Sequence, residues 1–153
     1  MRLIYCHTRL TVLAGAIFAT ALTVFSGCAT MSSFRSPGVD LTKIKKIYVI
    51  KLSADGRGIN RVIADQLNLM GYQTTTGLET DVLQGVDATI TYQNRWMWDI
   101  TMYMLKLNVQ IRDHKTGFLL AEGESYRPSL QRKSPEEMAK EVLESLFSTS
   151  QQH

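Results

Sequence analysis

Thiols are nearly absent from this 153-residue chain, which has two cysteines, Cys6 and Cys28. A disulfide framework needs paired cysteines at working spacings, so whatever follows Cys28 must be held by packing. A cysteine nucleophile and a cysteine-ligated metal have no residue to use there. Histidine is almost as scarce: His7 lies near the start, leaving His114 and the terminal His153. That is too few for a zinc site or a histidine-based triad. The sequence also lacks an excess of either charge. It has 17 Lys and Arg against 14 Asp and Glu, and two of the basic residues are Arg2 and Arg9. From Cys28 onward 15 basic residues face 14 acidic ones, a formal charge of +1. Such a balance gives nucleic acid or an anionic surface no field to follow. There is no internal repeat and no low-complexity tract.

A membrane span is missing too. The apolar run at residues 10–25 has sixteen residues, short of the ~20 a spanning helix wants. It is preceded by Arg2 and Arg9 and followed by the small residues Ser26 and Gly27, the three-part layout of a secretory leader. Phe25-Ser26-Gly27-Cys28 resembles a lipobox, whose usual form is Leu-(Ala/Ser)-(Gly/Ala)-Cys; Phe25 stands in place of the usual Leu. The resemblance implies diacylglycerol on the Cys28 sulfur, cleavage before it, and acylation of the new amino group. Two or more acyl chains anchor stably where one is marginal. In Gram-negative lipoproteins an Asp after the cysteine retains the protein at the inner membrane. Ala29 stands there instead, implying the outer membrane, on its periplasmic face.

The expected organisation is a leader over residues 1–27, a lipidated N-terminus and flexible tether over residues 28–40, and one periplasmic domain over residues 41–153. Twelve tether residues extend at most ~40 Å. Within the domain, residues 46–52 are rich in β-branched side chains and read as a strand. Ile59, Val62, Ile63, Leu67 and Met70 recur at helical spacing, with Asn60 as a candidate cap and Gly71 at the C-terminal position. Residues 72–76 read as a second strand, which makes a βα unit. Residues 88–98 alternate, and residues 103–112 alternate most cleanly, with Tyr103, Leu105, Leu107, Val109 and Ile111 on one side. Asp113-His114-Lys115-Thr116-Gly117 is a hairpin turn, and residues 118–126 return as a strand. Ser134-Pro135-Glu136-Glu137 starts a helix with a capping box, and Met138, Val142 and Leu146 form its stripe. The predicted fold is α+β. It is a two-layer sandwich with a mostly antiparallel sheet of four to five strands and two helices on one face, in the order β-α-β-β-β-β-α.

Candidate sites are few. Gly56-Arg57-Gly58 lies between a strand and a helix, where phosphate loops sit, but Arg61 occupies the place of a third glycine; an ordinary connection is expected. Trp96, Met97, Trp98, Ile100, Met102, Tyr103 and Met104 are the densest aromatic and methionine cluster, a possible interaction surface. Alternation gives Trp96 and Trp98 the face of Ile90, hence the buried layer. Met97, Met102 and Met104 fall on the opposite, polar face, where core and exposed surface both stay open. Asp99 is expected as a turn carboxylate, and Glu122 and Glu124 as solvent-side residues of an edge strand rather than a glycosidase pair. Arg127, Arg132 and Lys133 form a basic patch on a solvated loop. No catalytic residue, cofactor or metal is expected, and no oligomeric state follows.

Four segments, Lys46-Ile47-Tyr48-Val49, Asp55-Gly56-Arg57-Gly58-Ile59-Asn60, Met70-Gly71-Tyr72-Gln73 and Tyr92-Gln93-Asn94-Arg95-Trp96-Met97-Trp98-Asp99-Ile100-Thr101-Met102-Tyr103, carry a further resemblance. The chain is similar to small uncharacterised outer-membrane lipoproteins of proteobacteria. The family signature carries no known activity. The missing catalytic residues and the lipid anchor at Cys28 together point to a non-enzymatic envelope adaptor, with an envelope protein near the outer membrane as its partner. The alternative is a lipid- or glycan-binding module using the Trp96/Trp98/Tyr103 region.

Overall fold

The alternating segments assemble into one six-stranded mixed sheet, and two helices pack on one of its faces, an α+β sandwich. The computed structural model describes residues 28–81 and 84–148; the predicted leader, residues 1–27, lies outside them. In chain order the elements are β1 (Thr30–Arg35), β2 (Lys46–Ile50), α1 (Ile59–Leu69), β3 (Gln73–Gly77), β4 (Ala88–Asp99), β5 (Thr101–Asp113), β6 (Leu119–Tyr126) and α2 (Pro135–Phe147). The strands lie side by side as β1-β6-β5-β4-β2-β3.

The strand-helix-strand unit closes in parallel, with Ile47 beside Thr74 and Val49 beside Thr76. β2 also runs parallel to β4. The remaining pairs are antiparallel. Ile47, Val49, Ile90, Leu107, Val109 and Ile111 are fully buried against Ile59, Ile63 and Leu67 of α1 and Met138, Val142 and Leu146 of α2. Each such side chain contributes about 1.5–3 kcal/mol relative to exposure. Gly123 lets α2 come close: a Cβ there would sit 3.1 Å from Val142 and Leu146. The far face carries no helix and is polar along β5 and β6. Lys106 pairs with Glu124 at 2.6 Å, and Asn108 donates to Glu122 at 2.8 Å.

The caps divide. Ser134 and Glu137 form the expected reciprocal box at α2. At α1 Asn60 is not the cap. Gly58 holds that position with φ +72°, and Asn60 sits within the helix, donating to Thr76 Oγ1 at 2.9 Å.

The larger correction concerns the tether. Thr30–Arg35 is not flexible linker but β1, an edge strand paired with β6 from Thr30↔Tyr126 to Arg35↔Ala121. Its sequence, Thr-Met-Ser-Ser-Phe-Arg, carries too little alternation to be read as a strand, and its partner supplies what its own residues do not. Arg35 fastens it further, donating to the Leu146 carbonyl at 2.6 Å and the Ser148 carbonyl at 3.0 Å, where α2 ends. The sheet therefore has six strands rather than four to five.

Candidate functional site

β4 and β5 have 12 and 13 residues, long against a usual five or six. They outrun their neighbours. β2 accompanies β4 only along Ala88–Ile90, and β6 accompanies β5 no further than Lys106↔Tyr126. The rest is a two-stranded finger, Trp96–Asp99 against Thr101–Met104, with Ile100 at its apex. A two-stranded ribbon is marginal on its own, so something must hold it.

Arg132 does so. Its guanidinium donates to Thr101 Oγ1 at 2.6 Å, to the Asp99 carbonyl at 2.6 Å and to the Asp99 carboxylate at 3.2 Å. It also lies 4.3 Å above the Tyr103 ring. Ser129 donates a short hydrogen bond to the same carboxylate. Asp99 is therefore not simply a turn carboxylate; its partners come from thirty residues further along the chain. One more contact joins this loop to the start of the domain: the Ala29 amide donates to Gln131 Oε1 at 3.1 Å.

The finger also changes register. Arg95 faces Lys106, but Trp96 faces Met104, so Leu105 is an extra residue, a β-bulge. On β5 the side chains beyond it exchange sides, while β4 keeps its alternation. Met104 enters the core, where alternation puts Leu105 and Tyr103. Trp96 packs against that core and carries the Arg57 guanidinium 4.3 Å over its ring. Trp98 does not continue the buried layer: it is 69% exposed, opposite the half-exposed Met102. Met97, opposite Tyr103, is exposed as well. The predicted cluster thus splits. Trp96, Tyr103 and Met104 are covered, while Met97, Trp98 and Met102 face outward.

Ile100 is 87% exposed and has φ +60°. A β-branched side chain in that region is an outlier costing on the order of 1–3 kcal/mol. Glycine or asparagine would hold the turn without strain. Leu130, in the loop that grips the finger, is 84% exposed.

The other candidates resolve into structural roles. Arg127 and Lys133 are not a free basic patch. Both pair with Glu141, Arg127 through Nε at 3.0 Å and Nη2 at 2.6 Å. Burial pushes the Glu141 carboxyl up, but Arg127, Lys133 and the Ser125 hydroxyl outweigh it and hold it below its ordinary value. Glu122 and Glu124 are engaged by Asn108 and Lys106 on the open face. In the glycine loop the chain supplies its own anion. Asp55 accepts from the Arg57 amide at 2.9 Å, the Asn60 amide at 3.2 Å and the Tyr92 hydroxyl at 2.6 Å. Burial raises the Asp55 carboxyl, these donors outweigh it, and it ends below the usual range. Burial and that same bond push the Tyr92 hydroxyl up. A polar cleft of about 390 Å³ lies beside this loop, lined by Ala54, Asp55, Gly56, Arg57, Asn94 and Trp96. Trp98 and Tyr103 do not line it. Among the described residues, no group of three His, Cys, Asp or Glu side chains is placed to hold a metal.

Alternation did not reveal Arg132, Ser129 or Leu130 as parts of the finger, because no local pattern ties residues thirty apart. The role of Asp55 had a trace in the sequence: an acceptor a few residues ahead of a helix.

No protein-family model matches the chain, and no curated protein matches it. Its fold is similar to solved structures at low identity. A PelC dodecamer from Paraburkholderia phytofirmans aligns with TM-score 0.59 and 14% identity, covering 79% of this chain and 99% of that one. A point variant of the same protein aligns with TM-score 0.58 and 13% identity, covering 80% and 100%. A PDZ domain protein from Parabacteroides distasonis aligns with TM-score 0.53 and 13% identity, covering 82% of this chain and 37% of that one. At such identity the likeness is one of fold.

Proposed function

We propose that the chain is a non-enzymatic, lipid-anchored module of the bacterial cell envelope, held at the periplasmic face of the outer membrane through Cys28. It docks an envelope protein on its sheet. The observation that carries this reading is the sheet's one-sided covering. The helices leave a broad polar face open, bordered by the unpaired edge of β1, which begins two residues after Cys28. Open strand edges and exposed sheet faces are common docking surfaces. The correction of the tether tightens the geometry. Two extended residues reach ~7 Å rather than ~40 Å, so the partner meets the domain beside the membrane.

The anchor is tested by replacing Cys28 with Ala and fractionating cells: the variant loses its processed, membrane-bound form. Normal processing and retention would refute lipidation. The partner is tested by placing a photo-crosslinker at Ser33 on β1 and at Gln110 on the open face. Mass spectrometry of the products is expected to recover one envelope protein from both positions. PelC, similar in fold, is a dodecamer, so native mass of the purified chain accompanies the experiment and identifies a partner that is another copy. Recovery of lipid or glycan, with no protein, favours the alternative of a ligand-binding module. That alternative has the Trp96 cleft behind it, but Trp98 and Tyr103 stand outside the cleft.

A further inference from the structure

We propose that the finger tip is a second membrane contact: Trp98, Ile100, Met102 and Leu130 enter the headgroup boundary of the same bilayer that receives the chain at Cys28. This rests on the anchor reading above. The path of the chain decides what covers the tip. The apolar run of residues 10–25 ends just before Cys28. Whether that run is cut away and replaced by acyl chains or stays attached, the group that enters lipid departs from the domain at Cys28. One residue later the Ala29 amide is bonded to Gln131. Gln131 neighbours the exposed Leu130, and Ser129 and Arg132 of the same loop grip Asp99 and Thr101. The lipid entry point and the tip therefore share one loop. A bilayer reached within ~7 Å must lie against this end of the sheet.

The chemistry fits that surface. Tryptophan is favoured at the membrane–water boundary, and Ile100, the most exposed large apolar side chain among the described residues, keeps a strained backbone instead of the glycine or asparagine that would relieve it. The nearby charges are spent on one another, Asp99 with Arg132 and Glu141 with Arg127 and Lys133. The contact is accordingly apolar, and salt will not screen it. Met97 is exposed on the finger's other side; the remaining exposed large apolar side chains, Phe34, Leu69, Leu78 and Phe118, belong to other elements, as single exposed residues do on any surface.

The chain has two tryptophans, Trp96 and Trp98, which makes the test direct. Full-length protein is purified from membranes in detergent and reconstituted into vesicles of phosphatidylethanolamine and phosphatidylglycerol, with plain or brominated acyl chains. Flotation with the vesicles reports the anchor; fluorescence loss in brominated vesicles reports the tip. The wild type floats and is quenched, equally at low and high salt. Trp98→Phe abolishes most of the quenching and Trp96→Phe preserves it. Ile100→Asp weakens it while flotation holds and the unfolding midpoint does not fall. A chain that floats with Trp98 unquenched overturns the tip contact alone. So does a blue-shifted but unquenched Trp98, which places a protein or a second copy over the tip. A chain that does not float removes the anchor and the tip contact together.

Discussion

Trp96 stands directly across from Met104, with Leu105 bulged out between Met104 and Lys106. That pairing makes Met104 a core residue, 1% exposed, while Met102, two residues away, is 45% exposed. Met104→Ala should destabilise the domain by about 2–5 kcal/mol, and Met102→Ala should change stability by no more than about 0.5 kcal/mol. Unfolding in urea separates the two. A small loss for Met104→Ala, equal to that of Met102→Ala, would mean that Met104 does not reach the core.

Gly77 lies against the buried Tyr48. A Cβ at position 77 would run into the Tyr48 hydroxyl, which is already committed to the Leu78 carbonyl at 3.0 Å. Gly77→Ala is expected to cost about 1–3 kcal/mol by overpacking. Tyr48→Phe sacrifices a hydrogen bond, about 1 kcal/mol, but clears the space. The double variant should then be more stable than the sum of the single losses, with a coupling of about 0.5–3 kcal/mol. Additive losses in the cycle would mean that the two groups do not meet.

Relieving the apex should stabilise the protein. Asparagine tolerates the left-handed region that Ile100 occupies, and the isoleucine side chain buries little. Ile100→Asn is expected to raise the unfolding free energy by about 1 kcal/mol, read from the urea midpoint at unchanged slope. A destabilised variant would show that the isoleucine packs more than its exposure indicates. Should the same change weaken vesicle quenching, the strain is retained for contact rather than for folding.

Acid should act through Asp55. Its folded pKa lies below the ordinary 3.8 because the Tyr92, Arg57 and Asn60 donors outweigh burial. The sign follows: the ionised group contributes stability that is complete above 3.8 and is lost as pH falls through the lower folded value. Asp55→Asn should cost about 1–3 kcal/mol near neutrality and progressively less as the wild type becomes protonated. Melting temperatures from pH 7 downward test this. Parallel curves for the two proteins would exclude Asp55 from the acid limb.

What could be read ahead of the structure depended on how locally each element is specified. The capping box at Ser134 and Glu137, the stripe of Met138, Val142 and Leu146, and the alternation of Leu107, Val109 and Ile111 each lie within a few residues, and each took the expected place. β1 did not, since Met31 and Phe34 are its only large apolar residues and its strand character comes from β6. The bulge did not either. Alternation counts residues in steps of two, and one unmarked extra residue at Leu105 puts Met104, rather than Tyr103 and Leu105, in the core. Trp98 keeps the face of Trp96 and is exposed because the finger outruns the neighbouring strands. Arg132 was legible as a cation but not as the clasp of the finger, since its partners Asp99 and Thr101 are distant in sequence.

β1 has a consequence for the order of events if the chain is exported amino end first, as the proposed anchor requires. Thr30–Arg35 would then be exposed long before Leu119–Tyr126, its neighbour in the sheet, has emerged. Closing so wide a loop comes late. On that proposal Cys28 would stay on an extended leash while the rest of the domain arrives, within reach of the enzymes that would modify and trim it. Once β6 is in place, the leash would be wound into the sheet and the domain drawn down onto its attachment point. Maturation and folding would then be timed by a single late pairing.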